Sequence, residues 1–151
     1  MIFYKQVACI ATILCGNFFV NISAQEITRN NEGTYFYTSI TIPSGAETMY
    51  LSGSGAQALD DGSWGDMRQQ TIDTFSRFKQ TLEDQGWSMG DIVQVRAFAV
   101  AGDGGLDFAG FNAGYSEFFG TAANPNKPVR SFVEINLRSN PMREWFDIIQ
   151  I

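Results

Sequence analysis

The chain has 151 residues, 44% of them hydrophobic and 14% aromatic, which is enough for one compact domain with its own core. Its formal net charge of −6 argues against a nucleic-acid-binding surface. Histidine is absent, which excludes Ser-His-Asp and Cys-His nucleophiles as well as histidine-ligated metal centres.

Residues 1–24 have the pattern of a secretory signal peptide. Lys5 precedes an apolar stretch at 7–20 that is shorter than a membrane span, and Ser23 and Ala24 supply small residues for a signal peptidase. We expect cleavage after Ala24, a mature domain at 25–151, a periplasmic or secreted location, and no membrane association after cleavage. A short buried or membrane-anchoring helix is the alternative interpretation.

Removal of this segment changes both charge and redox chemistry. It takes away Lys5 and no acid, so the net charge moves from −6 to −7. It also takes away Cys9 and Cys15, the two cysteines of the chain. The mature domain would therefore fold by packing alone, without a disulfide.

The mature chain alternates strand and helix patterns after a polar arm at 25–33. The predicted strands lie at 34–42, 49–52, 91–100, 128–137 and 144–151. The predicted helices lie at 66–85 and 107–119. For the first helix, Asp66 is the expected N-cap and Gly86 the expected stop.

Each helix carries one apolar stripe. The stripe of the first consists of Met67, Thr71, Ile72, Phe75, Phe78 and Leu82. The second is expected to bury Phe108, Phe111, Tyr115 and Phe118. This order predicts an α+β domain, with a single mixed β-sheet and both helices packed on one face. The high aromatic content suggests that further copies of the chain cover the open face.

Two polar residues stand out in this pattern. Arg130 follows Pro128 at the mouth of a strand, where a planar guanidinium is suited to hold a carboxylate or phosphate. Asn112 is an amide between aromatic residues of the second helix. Each of them has a simpler interpretation as a surface residue.

Several short motifs follow one another along the mature chain. In order they are Tyr37, Leu51-Ser52-Gly53, Gln70, Gly86, Gly90-Asp91-Ile92-Val93, Phe108-Ala109, Asn112, Tyr115, Phe118-Phe119, Pro128-Val129-Arg130-Ser131 and Val133-Glu134. In order and spacing they resemble the RidA/YjgF family of enamine/imine deaminases. The resemblance covers the chain from about residue 37 to its end.

The resemblance implies a chorismate-mutase-like α+β fold, assembled as a homotrimer with pockets between subunits. By position, Arg130 matches the arginine that holds the substrate carboxylate. The other pocket-lining matches are Tyr37, Ser52, Gly53 and Asn112. Phe132 is a departure, because the family often has a cysteine there. A glutamate of the last strand positions water in the family; Asp147 fits its place best, and Glu144 is the alternative.

The implied reaction is hydrolytic deamination of reactive 2-enamine and 2-imine acids, such as 2-aminoacrylate, to 2-oxo acids and ammonia. The expected partners are a small carboxylate substrate and further copies of the chain, and no metal or organic cofactor is implied. The alternative is an exported, non-catalytic trimer that binds small carboxylates or amino-acid-like ligands. Nuclease activity is disfavoured by the acidic charge and the absence of histidine.

Overall fold

The computed structural model describes residues 26–135 and the backbone of 147–148. The predicted signal peptide at 1–24 lies outside this range. The elements, in chain order, are β1 (Thr28–Glu32), β2 (Tyr37–Thr41), α1 (Met67–Asp84), β3 (Gln94–Ala99), α2 (Phe108–Tyr115), β4 (Val129–Glu134) and β5 (Asp147–Ile148). One 3₁₀ turn, Met89–Asp91, precedes β3.

The strands form two sheets. β1 and β2 make an antiparallel hairpin, and β3 lies between β4 and β5 in a three-stranded sheet. β3 pairs with β4 in parallel and with β5 in antiparallel orientation. The parallel pair is the one joined through α2, as expected when a helix forms the crossover between two strands.

Local capping fixes where the helices begin and end. Asp66 accepts a hydrogen bond from the backbone N–H of Gln69, and Asp107 accepts one from that of Gly110. Each carboxylate thereby satisfies a backbone donor that the first helical turn leaves free. Gly86, with φ of +80°, ends α1 in the left-handed conformation that favours glycine.

The core lies between the two helices and one face of β3. Alternate residues of β3, Val95, Ala97 and Ala99, are buried, as the two-residue period of a strand requires. Phe75 of α1 sits at the centre, with ring centroids 5.9 Å from Tyr115 and 5.3 Å from Phe119. Aromatic packing across the two helices therefore holds this layer together.

The α+β class is confirmed, and three details differ from the prediction. The hairpin pairs separately from the three-stranded sheet, where one sheet was expected. The polar arm contains β1, whereas the expected strand at 49–52 is irregular. Phe108 was expected to be buried on α2 and is 52% exposed.

Among the described residues, neither helix has the length and apolar character of a membrane-spanning segment. The same residues contain no group of three or more Cys, Asp or Glu side chains arranged to hold a metal ion.

Candidate functional site

Arg130 lies on the face of β4 that is turned towards the helices. In the parallel ladder it stands opposite Val95, and Phe132 stands opposite Ala97. Val95 and Ala97 are completely buried on the helix-covered face of β3. Because side chains alternate between the faces of a sheet, Arg130 and Phe132 project to that same side.

Four aromatic rings surround the Arg130 guanidinium. Its central carbon is 4.7 Å from the ring centroid of Tyr115 and 5.1 Å from that of Phe111, both on α2. It is 5.3 Å from the ring centroid of Tyr35 and 5.7 Å from that of Phe36, which lie just before β2. These distances are within the range of cation–π attraction. We call these four rings the aromatic cage.

Asn112 supplies the polar contact to the same group. Arg130 Nη1 donates a hydrogen bond of 2.9 Å to Asn112 Oδ1. Asn112 lies one residue after Phe111 on α2, so one helix provides two rings and an amide to a single guanidinium. This contact brings together two of the residues that the sequence predicted for the site.

No acid among the described residues neutralises the charge of Arg130 in the cage. Among the described residues, the ion pairs involve Arg68, Lys79 and Lys127, and none involves Arg130. Burial lowers the pKa of Arg130, with an opposing effect from Tyr115 and Tyr35. The ordinary pKa of arginine is so high that the group remains protonated at neutral pH.

The pKa of Tyr115 shifts in the opposite direction to that of Arg130. Burial raises the pKa of its hydroxyl, while the nearby charge of Arg130 lowers it. Its side chain is 1% exposed, and its hydroxyl has no hydrogen-bond partner among the described residues. Tyr115 therefore stays neutral and serves the site through its ring.

A row of rings extends from the cage to the surface. Phe111 stacks on Phe132 with centroids 4.0 Å apart and an interplanar angle of 11°. Phe132 meets Phe108 edge-on at 5.0 Å. Phe108 also borders a cavity of about 650 Å³ that lies beyond the end of β3 and is lined in addition by Met67 and Leu106.

The remaining predicted site residues are placed less closely. Tyr37 is partly buried at the start of β2, and Ser52 and Gly53 are exposed in the segment before α1. None of the hydrogen bonds or ring contacts of the described residues joins these three to Arg130. The backbone of Asp147 lies in β5 opposite Phe98, but its side chain is outside the described part of the chain. Glu144 lies outside the described residues altogether.

Tyr35 and Phe36 were not predicted as part of the site. The sequence assigned both to the strand at 34–42, and their spacing does not indicate contact with an arginine far along the chain. The contact depends on β2 and β4 meeting in space, although about ninety residues separate them in the chain.

The family assignment follows from the sequence comparison. The pattern of the family described as Endoribonuclease L-PSP matches residues 34–143, which is most of the chain. The chain belongs to this family. The predicted resemblance to RidA/YjgF proteins is confirmed, since members under the Rid and YjgF names are among its structural relatives.

The curated relatives match over a shorter stretch. A RutC family protein of Pyrococcus abyssi is 36% identical over 72 residues, which cover 48% of this chain and 51% of the relative. One from Pyrococcus horikoshii is 33% identical over 72 residues, covering 48% and 52%. The chain therefore matches these relatives along about half of their length.

Solved structures confirm the fold across nearly the whole domain. A Rid family protein of unknown function from Yersinia pestis has a TM-score of 0.55 at 21% identity, covering 80% of this chain and 92% of its own. A YjgF/YER057c/UK114 family member from Mycobacterium tuberculosis has a TM-score of 0.52 at 19% identity, covering 83% and 97%. At such identities the likeness shows the fold alone.

Proposed function

We propose that this protein is an enamine/imine deaminase that hydrolyses small 2-enamine and 2-imine acids to 2-oxo acids and ammonia. The observation that carries the proposal is the partly buried Arg130 guanidinium, which has no acidic partner among the described residues. One N–H group donates to Asn112, and the other N–H groups, which donate to none of the described residues, would bind the anion. A small carboxylate is the ligand that such a fork of donors fits best.

The cage contributes by holding this donor set in place. Aromatic faces attract the cation, and the amide of Asn112 fixes one nitrogen, so little conformational freedom remains to be lost on binding. Low polarity around the guanidinium also strengthens its attraction for a carboxylate. The substrate would thus be oriented by its acid group, with its nitrogen end directed away from the cage.

The chemistry needs few further groups. An enamine acid takes a proton on carbon and loses one from nitrogen to become the imine, and water adds to the imine carbon. The carbon–nitrogen bond then breaks, the nitrogen leaves as ammonia, and the 2-oxo acid remains. A carboxylate that holds the water would assist the addition, and Asp147 or Glu144 is proposed for that role. Backbone groups near Gly53 are proposed to polarise the nitrogen end.

We propose that the working form is an exported homotrimer. Support for assembly comes from the family resemblance and from Ser52 and Gly53, which make no described hydrogen bond to Arg130 of the same chain. Support for export comes from the signal-peptide pattern of residues 1–24. Mature protein purified from periplasm or culture medium should accordingly begin at Gln25.

The family description names an endoribonuclease, and we do not extend that activity to this chain. A ribonuclease would need a surface that attracts phosphates, whereas this chain is acidic, with sixteen Asp and Glu residues against ten Lys and Arg. It also lacks histidine, the usual general base for such a reaction.

The first test removes the guanidinium. Arg130→Ala should lower kcat/KM for imine hydrolysis by about 100-fold, since two charge-assisted hydrogen bonds to a carboxylate contribute about 3 kcal/mol. Arg68→Ala is the matched control, because Arg68 is an exposed arginine of α1 that forms an ion pair with Glu117. Ammonia release is measured while an amino-acid oxidase supplies the imine, and circular dichroism checks the fold.

A second variant keeps Arg130 and tests its free charge. Asn112→Asp places a carboxylate at the atom that already accepts from Arg130, so it should compete with the substrate and raise KM at least tenfold. Unchanged KM would contradict carboxylate capture by Arg130. Ligand-induced thermal stabilisation of the wild-type protein without ammonia release would favour the non-catalytic binding protein.

A further inference from the structure

We infer that Phe132 and Phe108 form a subsite for the substrate's side chain, so that the preferred substrates are imines of large apolar amino acids rather than 2-aminoacrylate. This inference rests on the proposed function, because it takes the carboxylate position from Arg130. It adds the chemical class of the group at the other end of the substrate.

Phe132 lies two residues after Arg130 on the same face of β4, which separates the two side-chain stems by about 7 Å along the strand. Both side chains rest on Phe111: the guanidinium lies 5.1 Å from its centroid, and the Phe132 ring is stacked at 4.0 Å. A ligand held by Arg130 therefore has an aromatic surface at the distance that a side chain of several carbons reaches.

Phe108 is exposed at the start of α2. It was expected to be part of the core, yet it is 52% exposed with its ring against Phe132. It also borders the 650 Å³ cavity, whose lining combines the apolar Met67 and Leu106 with polar side chains and glycines. The row of rings thus leads from the cage to this cavity, where a branched or aromatic side chain that packs on the apolar part of the lining gains more burial than a methyl group.

The closing experiment measures ligand binding, which does not depend on ammonia release. Isothermal titration compares 4-methyl-2-oxopentanoate with pyruvate, the 2-oxo acids with a leucine and an alanine side chain. Wild-type protein should bind the former about tenfold to 100-fold more tightly, as expected for three additional buried carbons. Phe108→Ala should remove most of this preference and change pyruvate binding less than about threefold.

The variants are chosen so that the fold is retained. Phe108 is truncated rather than Phe132, because Phe132 also packs against the core. Leu59→Ala serves as the control: Leu59 is 39% exposed, but it lines a separate surface next to Asp73 and Arg77. This variant should bind both acids as the wild type does.

The outcomes distinguish this inference from the deaminase proposal. Equal affinity of wild type for the two acids, or equal effects of Phe108→Ala and Leu59→Ala, overturns the subsite even when both imines are hydrolysed. A preference for the larger acid that Phe108→Ala abolishes supports the subsite even when no ammonia is released. Binding of neither acid overturns the subsite, since the subsite depends on a carboxylate held at Arg130, whereas ammonia release decides the deaminase proposal.

Discussion

Two kinds of contact restrict the orientation of the Arg130 guanidinium. The rings of the cage limit its tilt, and Asn112 fixes one of its nitrogens. An arginine on an open surface loses the conformational entropy of several rotatable bonds when it binds an anion. Because Arg130 is already restricted, this entropy cost would be smaller at the proposed site. Placing the charge in the cage costs solvation energy, as the lowered pKa of Arg130 reflects.

Arg130 and Asn112 became candidate site residues in the sequence for different reasons. Arg130 follows a proline at a strand entrance, and Asn112 interrupts a run of apolar helix positions. The contact between them could not be derived, since it depends on how α2 crosses behind β4. Tyr35 and Phe36 carry no local signal at all, because aromatic residues in a strand-like pattern are usually explained by packing.

At Tyr115 we predict a stability change that depends on pH. Tyr115→Phe removes a buried hydroxyl that has no partner among the described residues. At pH 7 the free energy of unfolding of the variant should therefore be equal to that of the wild type or higher by up to about 1 kcal/mol. The folded-state pKa of Tyr115 is raised by burial, so above pH of about 10 the unfolded chain releases this proton first. Wild-type stability from this group is complete below that pH and falls as pH rises through it.

Phenylalanine cannot ionise, so Tyr115→Phe does not lose stability in this way. The difference in free energy of unfolding between the variant and the wild type should grow by roughly 1 kcal/mol between pH 10 and pH 11. Urea unfolding at pH 7, 10 and 11 measures the difference. Tyr50→Phe is the control, since Tyr50 is 71% exposed and its change should leave all three values unaltered. A variant clearly less stable than wild type at pH 7 would show that the Tyr115 hydroxyl does make a stabilising bond.

At the scale of elements, α1 was the easiest part to predict. Its apolar stripe runs along the length of the helix, and both ends have local sequence signals. Asp66 caps the N-terminus by accepting a hydrogen bond from a backbone N–H, and Gly86 ends the helix with a positive φ. β1 was missed for the opposite reason. Its residues are mostly exposed, so no hydrophobic alternation marks it, and it is held by pairing with β2 and by contacts such as Arg29 to the carbonyl of Gly90.

The closeness of the two helices leads to a prediction at Gly114. A Cβ atom added there would lie 2.7 Å from Thr71 Cβ and 2.8 Å from the Arg68 carbonyl oxygen of α1. Alanine is a better helix former than glycine, but this overlap should outweigh that gain of about 1 kcal/mol. We expect Gly114→Ala to destabilise the fold by about 1–3 kcal/mol, as is typical of overpacked cores.

The displacement should also reach the site, because α2 carries Phe111, Asn112 and Tyr115. KM for the imine should therefore rise along with the loss of stability, as measured by urea unfolding and by ammonia release. Gly104→Ala is the control for stability alone: an added Cβ there meets nothing within 4 Å, but Gly104 lines the cavity next to Phe108. If the two variants are equally stable, the helices are not in the close contact that the structure shows.

At the scale of the whole molecule, one chain brings together only part of the proposed site. Arg130 and Asn112 meet within it, whereas Ser52 and Gly53 are exposed and make no described bond to Arg130. Apolar side chains that remain exposed, including Phe36 and Val133, are consistent with surfaces covered by other copies. The composition suggested this assembly, but which residues meet across a subunit boundary could not be derived from it.

Subunit mixing tests whether the site is shared between chains. Arg130→Ala should be inactive for lack of the carboxylate contact, and Ser52→Phe should be inactive because its ring fills the pocket. If Ser52 reaches the Arg130 of a neighbouring subunit, random trimers from equal amounts of the two variants should recover about a quarter of wild-type activity, since one pairing in four joins two intact residues. Light scattering should give three times the mass of the chain. No recovery from mixed trimers would mean that Arg130 and Ser52 serve the same subunit's pocket, because every site would then carry one defect.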